Sequence, residues 1–222
     1  MALNKQSGNM YPFVTDTWNT IKGKCPHDCV YCYMKRFKQG ELRLDGKEFK
    51  TDLGEGNFIF VGSSCDMWAW VIPEDWIKET LAHCCQYPNT YLFQSKNPDR
   101  FKKFYGQFPD DTIFGTTIET NRTKYINGEA PSIIDRYCAI TAIGREDGGE
   151  TMVTIEPIMD FDLTEFVEML VDIEPEWINV GADSQRHNLP EPESDKILNL
   201  IDEMRKFTEV KIKKNLNRLL IA

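Results

Sequence analysis

The chain predicts a parallel α/β fold, an incomplete (β/α)6 barrel. Three observations carry this. Short runs rich in β-branched and aromatic residues alternate with segments of helical period. Six such pairs fit in 222 residues, which suits a partial barrel better than an eightfold one. Polar residues recur just past the ends of the apolar runs, where barrels of this kind gather their chemistry.

The strands are predicted in order. Trp18–Ile21 leads into a cysteine-rich loop, and Phe58–Val61 ends at Gly62. Thr90–Gln94, Thr112–Ile118, Glu150–Ile155 and Trp177–Val180 follow, with Val210–Lys213 as a seventh strand or a closing extension. Helices fit between them. Pro73 opens one whose apolar face holds Trp76, Ile77, Leu81, Cys84 and Cys85. Asn97-Pro98 reads as a cap followed by proline at the first helical position, ahead of Phe101, Phe104 and Tyr105. Pro131 opens a helix with Ile133, Ile134, Tyr137 and Cys138. Asp162 and Glu165 form a capping pair before Phe166 and Leu170, and Ser194 caps the last helix. The charged stretch from Lys35 to Gly56 reads as an irregular excursion, and residues 183–193 as a long loop over the site. No internal repeat or domain boundary is visible. One domain is expected over 1–222, with a core at about 15–207 and a C-terminal extension at 208–222.

A hydrophobic content of 41% is that of a globular protein. Apolar runs are too short to span a bilayer, and the N-terminal residues lack a signal-peptide core, so a cytoplasmic protein is expected. Seven cysteines then suit metal binding better than disulfides. A net charge of −9 does not favour nucleic acid as a partner, though it leaves it possible. Two basic patches, Lys96/Arg100/Lys102/Lys103 and Lys211/Lys213/Lys214/Arg218, read as solvated faces.

Cys25, Cys29 and Cys32 are spaced C-x3-C-x2-C, with Tyr31 just before the last. Three thiolates can hold three irons of a cubane and leave the fourth iron open, as catalytic metal sites keep a position open. Zinc is the rival reading, but only one C-x2-C pair occurs, and His27 as a fourth ligand would strain the loop. Buried structural cysteines are the third, set against the loop composition of Lys24, His27 and Asp28.

The stretch Lys24-Cys-Pro-His-Asp-Cys-Val-Tyr-Cys-Tyr33 resembles the signature of the radical S-adenosylmethionine (radical SAM) superfamily. The resemblance continues through Gly62-Ser-Ser-Cys-Asp-Met-Trp68, Gln94-Ser-Lys-Asn-Pro-Asp-Arg100, Gly115-Thr-Thr-Ile-Glu119, Thr154-Ile-Glu-Pro157 and Ile178-Asn-Val-Gly-Ala-Asp-Ser184. Taken in sequence, these are similar to a group of compact radical SAM proteins of phage and bacterial genomes, distantly similar to spore photoproduct lyase. The first gap of the cysteine motif is shorter than is usual in that group.

The resemblance implies a TIM-like partial barrel of radical SAM type, a [4Fe-4S] cluster held by Cys25, Cys29 and Cys32, and S-adenosylmethionine (SAM) on its open iron. It implies reductive cleavage of SAM to a 5'-deoxyadenosyl radical, which takes hydrogen from a substrate. It also implies an external one-electron donor of flavodoxin or ferredoxin type. Carried onto this chain, it places Tyr31 against adenine, Ser63 and Ser64 at the SAM amino group, and Glu119 at the ribose hydroxyls. Lys96, Glu156 and Asp183 hold the SAM carboxylate or the substrate, with Asp66 a further candidate, and Cys65 is a candidate hydrogen-atom donor. The substrate stays open among small molecule, peptide and nucleobase. The competing reading is a non-catalytic iron–sulfur or zinc module that senses redox state or docks a partner. Cys84, Cys85 and Cys138 read as core packing, and His187 as an exposed loop residue. Trp68 and Trp70 read as core or lid, with base stacking open to both.

Overall fold

A computed structural model describes residues 3–6, 8–122, 124 and 128–220. Its strands are β1 (Asn4–Lys5), β2 (Asp16–Trp18), β3 (Ile21–Lys22), β4 (Arg43–Leu44), β5 (Phe58–Val61), β6 (Thr90–Ser95), β7 (Thr112–Thr117), β8 (Glu150–Ile155), β9 (Trp177–Val180) and β10 (Glu209–Ile212). Eight of them form one open sheet in the order β1-β2-β5-β6-β7-β8-β9-β10. Neighbours from β2 through β10 run parallel, and β1 lies antiparallel on one edge. The remaining two, β3 and β4, make a small antiparallel pair.

Helices α1 (Glu74–Cys84), α2 (Ile133–Arg145), α3 (Leu163–Ile173) and α4 (Ser194–Met204) follow β5, β7, β8 and β9, and α5 (Asn217–Leu220) closes the described chain. The connection after β6 is a 3-10 helix at Pro98–Phe104. This is the partial α/β barrel that the alternation of elements predicts, and its sheet does not close on itself. Among the described residues, no helix is long and apolar enough to cross a membrane.

Each strand sends alternate side chains to opposite faces. Ile59, Val61, Phe93, Phe114, Val153 and Ile178 pack outward against the helices in the main core. Leu92, Ile113 and Met152 point the other way, into the barrel. There the N-terminal segment supplies Tyr11 and Val14, with Met10 and Phe13 alongside. Tyr11 stacks on Phe13 with centroids 5.3 Å apart, and Phe13 meets Trp177 edge-on at 5.1 Å. An open barrel leaves its inner apolar face uncovered, and this segment plugs it.

Several local expectations need correction. The first strand ends at Trp18, and Ile21 belongs to β3, where it pairs with Leu44. Asp162 stands at the start of α3 but makes no side-chain cap, because Arg122 takes its carboxylate. Ser194 is the first residue of α4 and Glu193 its cap position. Ser132 instead forms a full capping box with Asp135 at α2. Cys84 is buried as expected, whereas Cys85 and Cys138 are exposed. Neither basic patch is simply a solvated face: Arg100 is 4% exposed and Lys213 is 8% exposed. The Arg100 guanidinium donates to the Ala69 and Ile72 carbonyls, and fixes the loop before α1.

Candidate functional site

The cysteine loop leaves β3 and returns through a 3-10 helix at Tyr33–Arg36. Its turns are closed by Asp28 N–H to Cys25 O at 3.2 Å and Cys32 N–H to Cys29 O at 3.1 Å. Asp28 has φ +45°, the left-handed region that Asp tolerates better than most residues. Gly128 lies directly against this loop at φ +134°, where a Cβ would stand 2.7 Å from the His27 carbonyl oxygen. Glu129 N–H donates to that same oxygen at 2.8 Å, so both segments need the close approach that only glycine allows.

Cys25, Cys29 and Cys32 all line one cavity of about 570 Å³. Its wall also includes Tyr31, Ser63, Ser64, Cys65, Asp66, Lys96, Glu156 and Asp183. The fold thus brings to one cavity eleven of the twelve residues singled out from sequence. Glu119 is the exception. It is fully buried behind Tyr31 and Lys96.

Asn19, at the end of β2, shapes the turn after β5. Its Oδ1 accepts from Ser64 N–H and Ser64 Oγ, both at 2.9 Å, and its Nδ2 lies 3.3 Å from Ser63 Oγ. Asp66 ties that turn to β6. It accepts from Ser95 Oγ, Lys96 N–H and Trp68 N–H, each at 2.9 Å. The His27 Nε2 lies 2.9 Å from Asp66 Oδ2, which fixes the middle of the cysteine loop to the sheet. Burial works against charge on both partners, but their attraction outweighs it: the His27 pKa is lifted and that of Asp66 is lowered.

Glu119 is the centre of the second network. It accepts from Lys96 Nζ at 2.7 Å, Arg136 Nη1 at 2.9 Å, and the Tyr31 hydroxyl. Burial alone would raise its pKa, yet Arg136 and Lys96 hold it down at about 2. The Lys96 ammonium also sits 5.1 Å over the Tyr31 ring. Glu119 therefore reaches the cavity only by positioning Tyr31 and Lys96.

Glu156, past β8, organises the opposite wall. Oε2 accepts from Lys213 Nζ at 2.6 Å, and Oε1 from Asn215 Nδ2 at 2.7 Å and Asn9 Nδ2 at 2.9 Å. Lys213 lies 4.4 Å over the Tyr11 ring, while the Tyr11 hydroxyl bonds Gln94 at 2.9 Å and Thr154 at 2.8 Å. Asp183 is 4% exposed and holds the following loop through Gln185 N–H at 3.0 Å and His187 Nδ1 at 2.8 Å. His187 is thus a partner of the site's rim and not a free loop residue.

The thiols differ from one another. A hydrogen bond from Cys65 lowers the Cys25 pKa to about 7, against the effect of burial, and raises that of Cys65. Burial raises Cys29 to about 11 and also raises Cys32. Among the described residues, no set of three His, Cys, Asp or Glu side chains is drawn around a point that one metal ion would fill. A cubane presents separate iron corners and asks for separated thiolates on one wall. The three cysteines line the same cavity of about 570 Å³, which is the donor set such a group would use.

Sequence reasoning missed Asn19, Arg136, Tyr11, Asn9, Lys213 and Asn215. Trp68 is core, packed edge-on against Phe101 at 4.7 Å, which excludes base stacking by it, whereas Trp70 is 62% exposed.

No family model and no curated protein matches the chain by sequence. Solved structures do match by fold. A cysteine-to-serine mutant of spore photoproduct lyase superposes with a TM-score of 0.68 at 10% identity, over 95% of this chain and 80% of the lyase. Another lyase mutant, with bound AdoMet and dinucleoside spore photoproduct, gives 0.61 at 12%, over 93% of this chain and 66% of that one. Methylornithine synthase gives 0.55 at 13% identity, over 87% and 63%. SuiB of Streptococcus suis, bound to S-adenosylmethionine, gives 0.56 at 10%, over 91% and 50%. All are radical SAM enzymes, and the chain described here has their fold.

Proposed function

We propose that the protein is a radical SAM enzyme, one domain over its whole length, acting on a substrate held in the cavity opposite the cysteines. One observation carries the proposal: Cys25, Cys29 and Cys32 share a cavity with the polar residues that end successive strands of a radical SAM fold. In this reading the three thiolates hold a [4Fe-4S] cluster. Once reduced by an external one-electron donor, the bound cluster would supply the electron for reductive cleavage of SAM, which is the source of 5'-deoxyadenosyl radical chemistry.

The chain's own residues bind, orient and exclude water. Tyr31 offers a ring beside the cluster loop, held in place by Glu119 and Lys96. Ser63 and Ser64, set by Asn19, present small hydroxyls to the SAM ammonium. Lys96 lines the same cavity and serves the SAM carboxylate. Glu156 and Asp183, with Lys213 and Tyr11, line the substrate half. The plugged barrel floor keeps water from that half, which a reactive radical demands.

Anaerobic reconstitution with iron and sulfide tests this. The protein should take up a cubane, its reduced spectrum should shift on adding SAM, and 5'-deoxyadenosine should form. A colourless protein with one tetrahedral zinc, or a cubane blind to SAM, would sink the assignment and favour the non-catalytic module.

Cys65 is 2% exposed and lines the same cavity. It fits a hydrogen-atom donor, in which the S–H bond breaks, a substrate C–H bond forms, and a thiyl radical remains. Cys65→Ala should keep SAM cleavage within about threefold while the product of the substrate radical changes; cleavage lost outright would assign Cys65 to the cluster instead.

A further inference from the structure

Almost every charged side chain in the cavity wall already has a partner within the protein. The carboxylates that line it are Asp66, Glu156 and Asp183. Asp66 lies 2.9 Å from His27 and accepts from Ser95 Oγ and the Lys96 and Trp68 N–H groups. Glu156 accepts from Lys213, Asn215 and Asn9. It also lies against Gly181, where a Cβ would stand 2.7 Å from Glu156 Oε1. Asp183 accepts from the Gln185 and His187 N–H groups and lies 2.8 Å from His187 Nδ1. Each carboxylate is thus met by donors of the wall itself, and a cationic ligand would find none waiting for it.

The Lys and Arg side chains of the wall are Lys96, Lys213 and Arg36. Two of them are held: Lys213 pairs with Glu156 at 2.6 Å and Lys96 with Glu119 at 2.7 Å. Arg36 has neither an ion pair nor a side-chain hydrogen bond among the described residues. Its guanidinium lies 4.6 Å over the Phe37 ring, a contact that engages its face and leaves its N–H groups free. Arg36 ends the 3-10 helix Tyr33–Arg36, which is tied to both walls. The Tyr33 hydroxyl donates to the Ser63 carbonyl at 2.9 Å, and Gln185 Nε2 donates to the Tyr33 carbonyl at 3.1 Å. Arg36 lines the cavity and is exposed to solvent, which places it at the mouth.

We propose that the cavity takes an acidic substrate, whose carboxylate or phosphate group is held at the mouth by Arg36. The inference rests on the radical SAM reading and deepens it by naming the charge of the substrate and the residue that selects it. A guanidinium presents paired N–H groups that match either acid. Lys96 is assigned to the SAM carboxylate and Lys213 is committed to Glu156, so among the described residues Arg36 is the cation of the wall still open to a substrate. An amine in its place would meet an uncompensated positive charge and no unengaged carboxylate. An acid anchored at the mouth also sets the direction in which the rest of the molecule enters, so that its uncharged part lies inside the cavity.

The test uses the anaerobically reconstituted protein, saturated with SAM, and four probes of similar size: phenylacetate, phenyl phosphate, phenylacetamide and phenethylamine. Ligand-observed nuclear magnetic resonance gives their dissociation constants. The better of the two acids should bind about tenfold more tightly than the amide, and the amine no more tightly than the amide. Which acid binds better tells a carboxylate from a phosphate as the group that Arg36 reads. Arg36→Gln should bring both acids to the level of the amide, and Arg36→Lys should keep part of the preference. Lys38→Gln, an exposed site outside the cavity wall, should keep all of it. Acids that bind no better than the amide, a preference that survives Arg36→Gln, or an amine that binds as tightly as the acids would overturn the proposal. Acids that displace SAM would overturn it too, since Arg36 would then serve the SAM carboxylate. A wild-type protein that holds a cubane yet forms no 5'-deoxyadenosine would instead sink the radical SAM reading, while the binding constants, which need no turnover, would still decide the role of Arg36.

Discussion

Replacing Cys29 with alanine should abolish cluster uptake and, with it, 5'-deoxyadenosine formation, by at least about 10²-fold. Losing a residue that only orients a ligand already costs about 10–100-fold in metal affinity, and Cys29 is assigned as a ligand itself. The substitution is small. Cys29 is 8% exposed, and its backbone carbonyl, which closes the turn to Cys32, is untouched. Far-ultraviolet circular dichroism should therefore match the wild type, separating loss of ligation from loss of fold. Iron and sulfide content after anaerobic reconstitution is the direct measurement. A Cys29→Ala protein that still assembles a cubane and cleaves SAM would refute the ligand assignment.

Glu119→Gln should cost about 3–5 kcal/mol of stability, because it leaves Arg136 charged and fully buried without its carboxylate. Lys96 would lose its anionic partner as well. For a chain of this size the loss corresponds to a fall of roughly 10 °C in Tm. The pH dependence identifies the cause. The Glu119 pKa is depressed from 4.5 to about 2, so its contribution is complete above about pH 4.5 and is lost as pH falls toward 2. The shift is worth about 3 kcal/mol, in keeping with the cost of the substitution. Urea unfolding of both proteins between pH 7 and pH 3 should show the gap narrowing with acid. A gap that is small at pH 7, or that stays constant with pH, would mean the buried pair is not what the Glu119 carboxylate supports.

Much of this architecture was legible because the informative signals are local. Phe58–Val61, Glu150–Ile155 and Trp177–Val180 are strands in both sequence and structure, as β-branched and aromatic runs bounded by turn residues should be. The cavity wall was legible because strand-end polar residues in a parallel barrel face one end. What could not be read were partners far apart in sequence. Arg136 lies on a helix whose period gives no hint that Glu119, 17 residues earlier, draws it inward. Lys213 read as solvated because Glu156, 57 residues away, is what buries it. Asp162 fitted a local capping rule and lost to Arg122, 40 residues distant. Asn19 looked like part of a strand because nothing near it showed the Ser63-Ser64 turn that it holds.

Asn9, Lys213 and Asn215 all converge on Glu156. During synthesis, Asn9 emerges from the ribosome long before the residues beside which it is finally seated. The far wall of the site cannot be finished until residue 215 has been translated and released from the exit tunnel. Cys25, Cys29 and Cys32 emerge about 180 residues earlier, so the cavity that they line is completed only once Asn215 is free to reach Glu156.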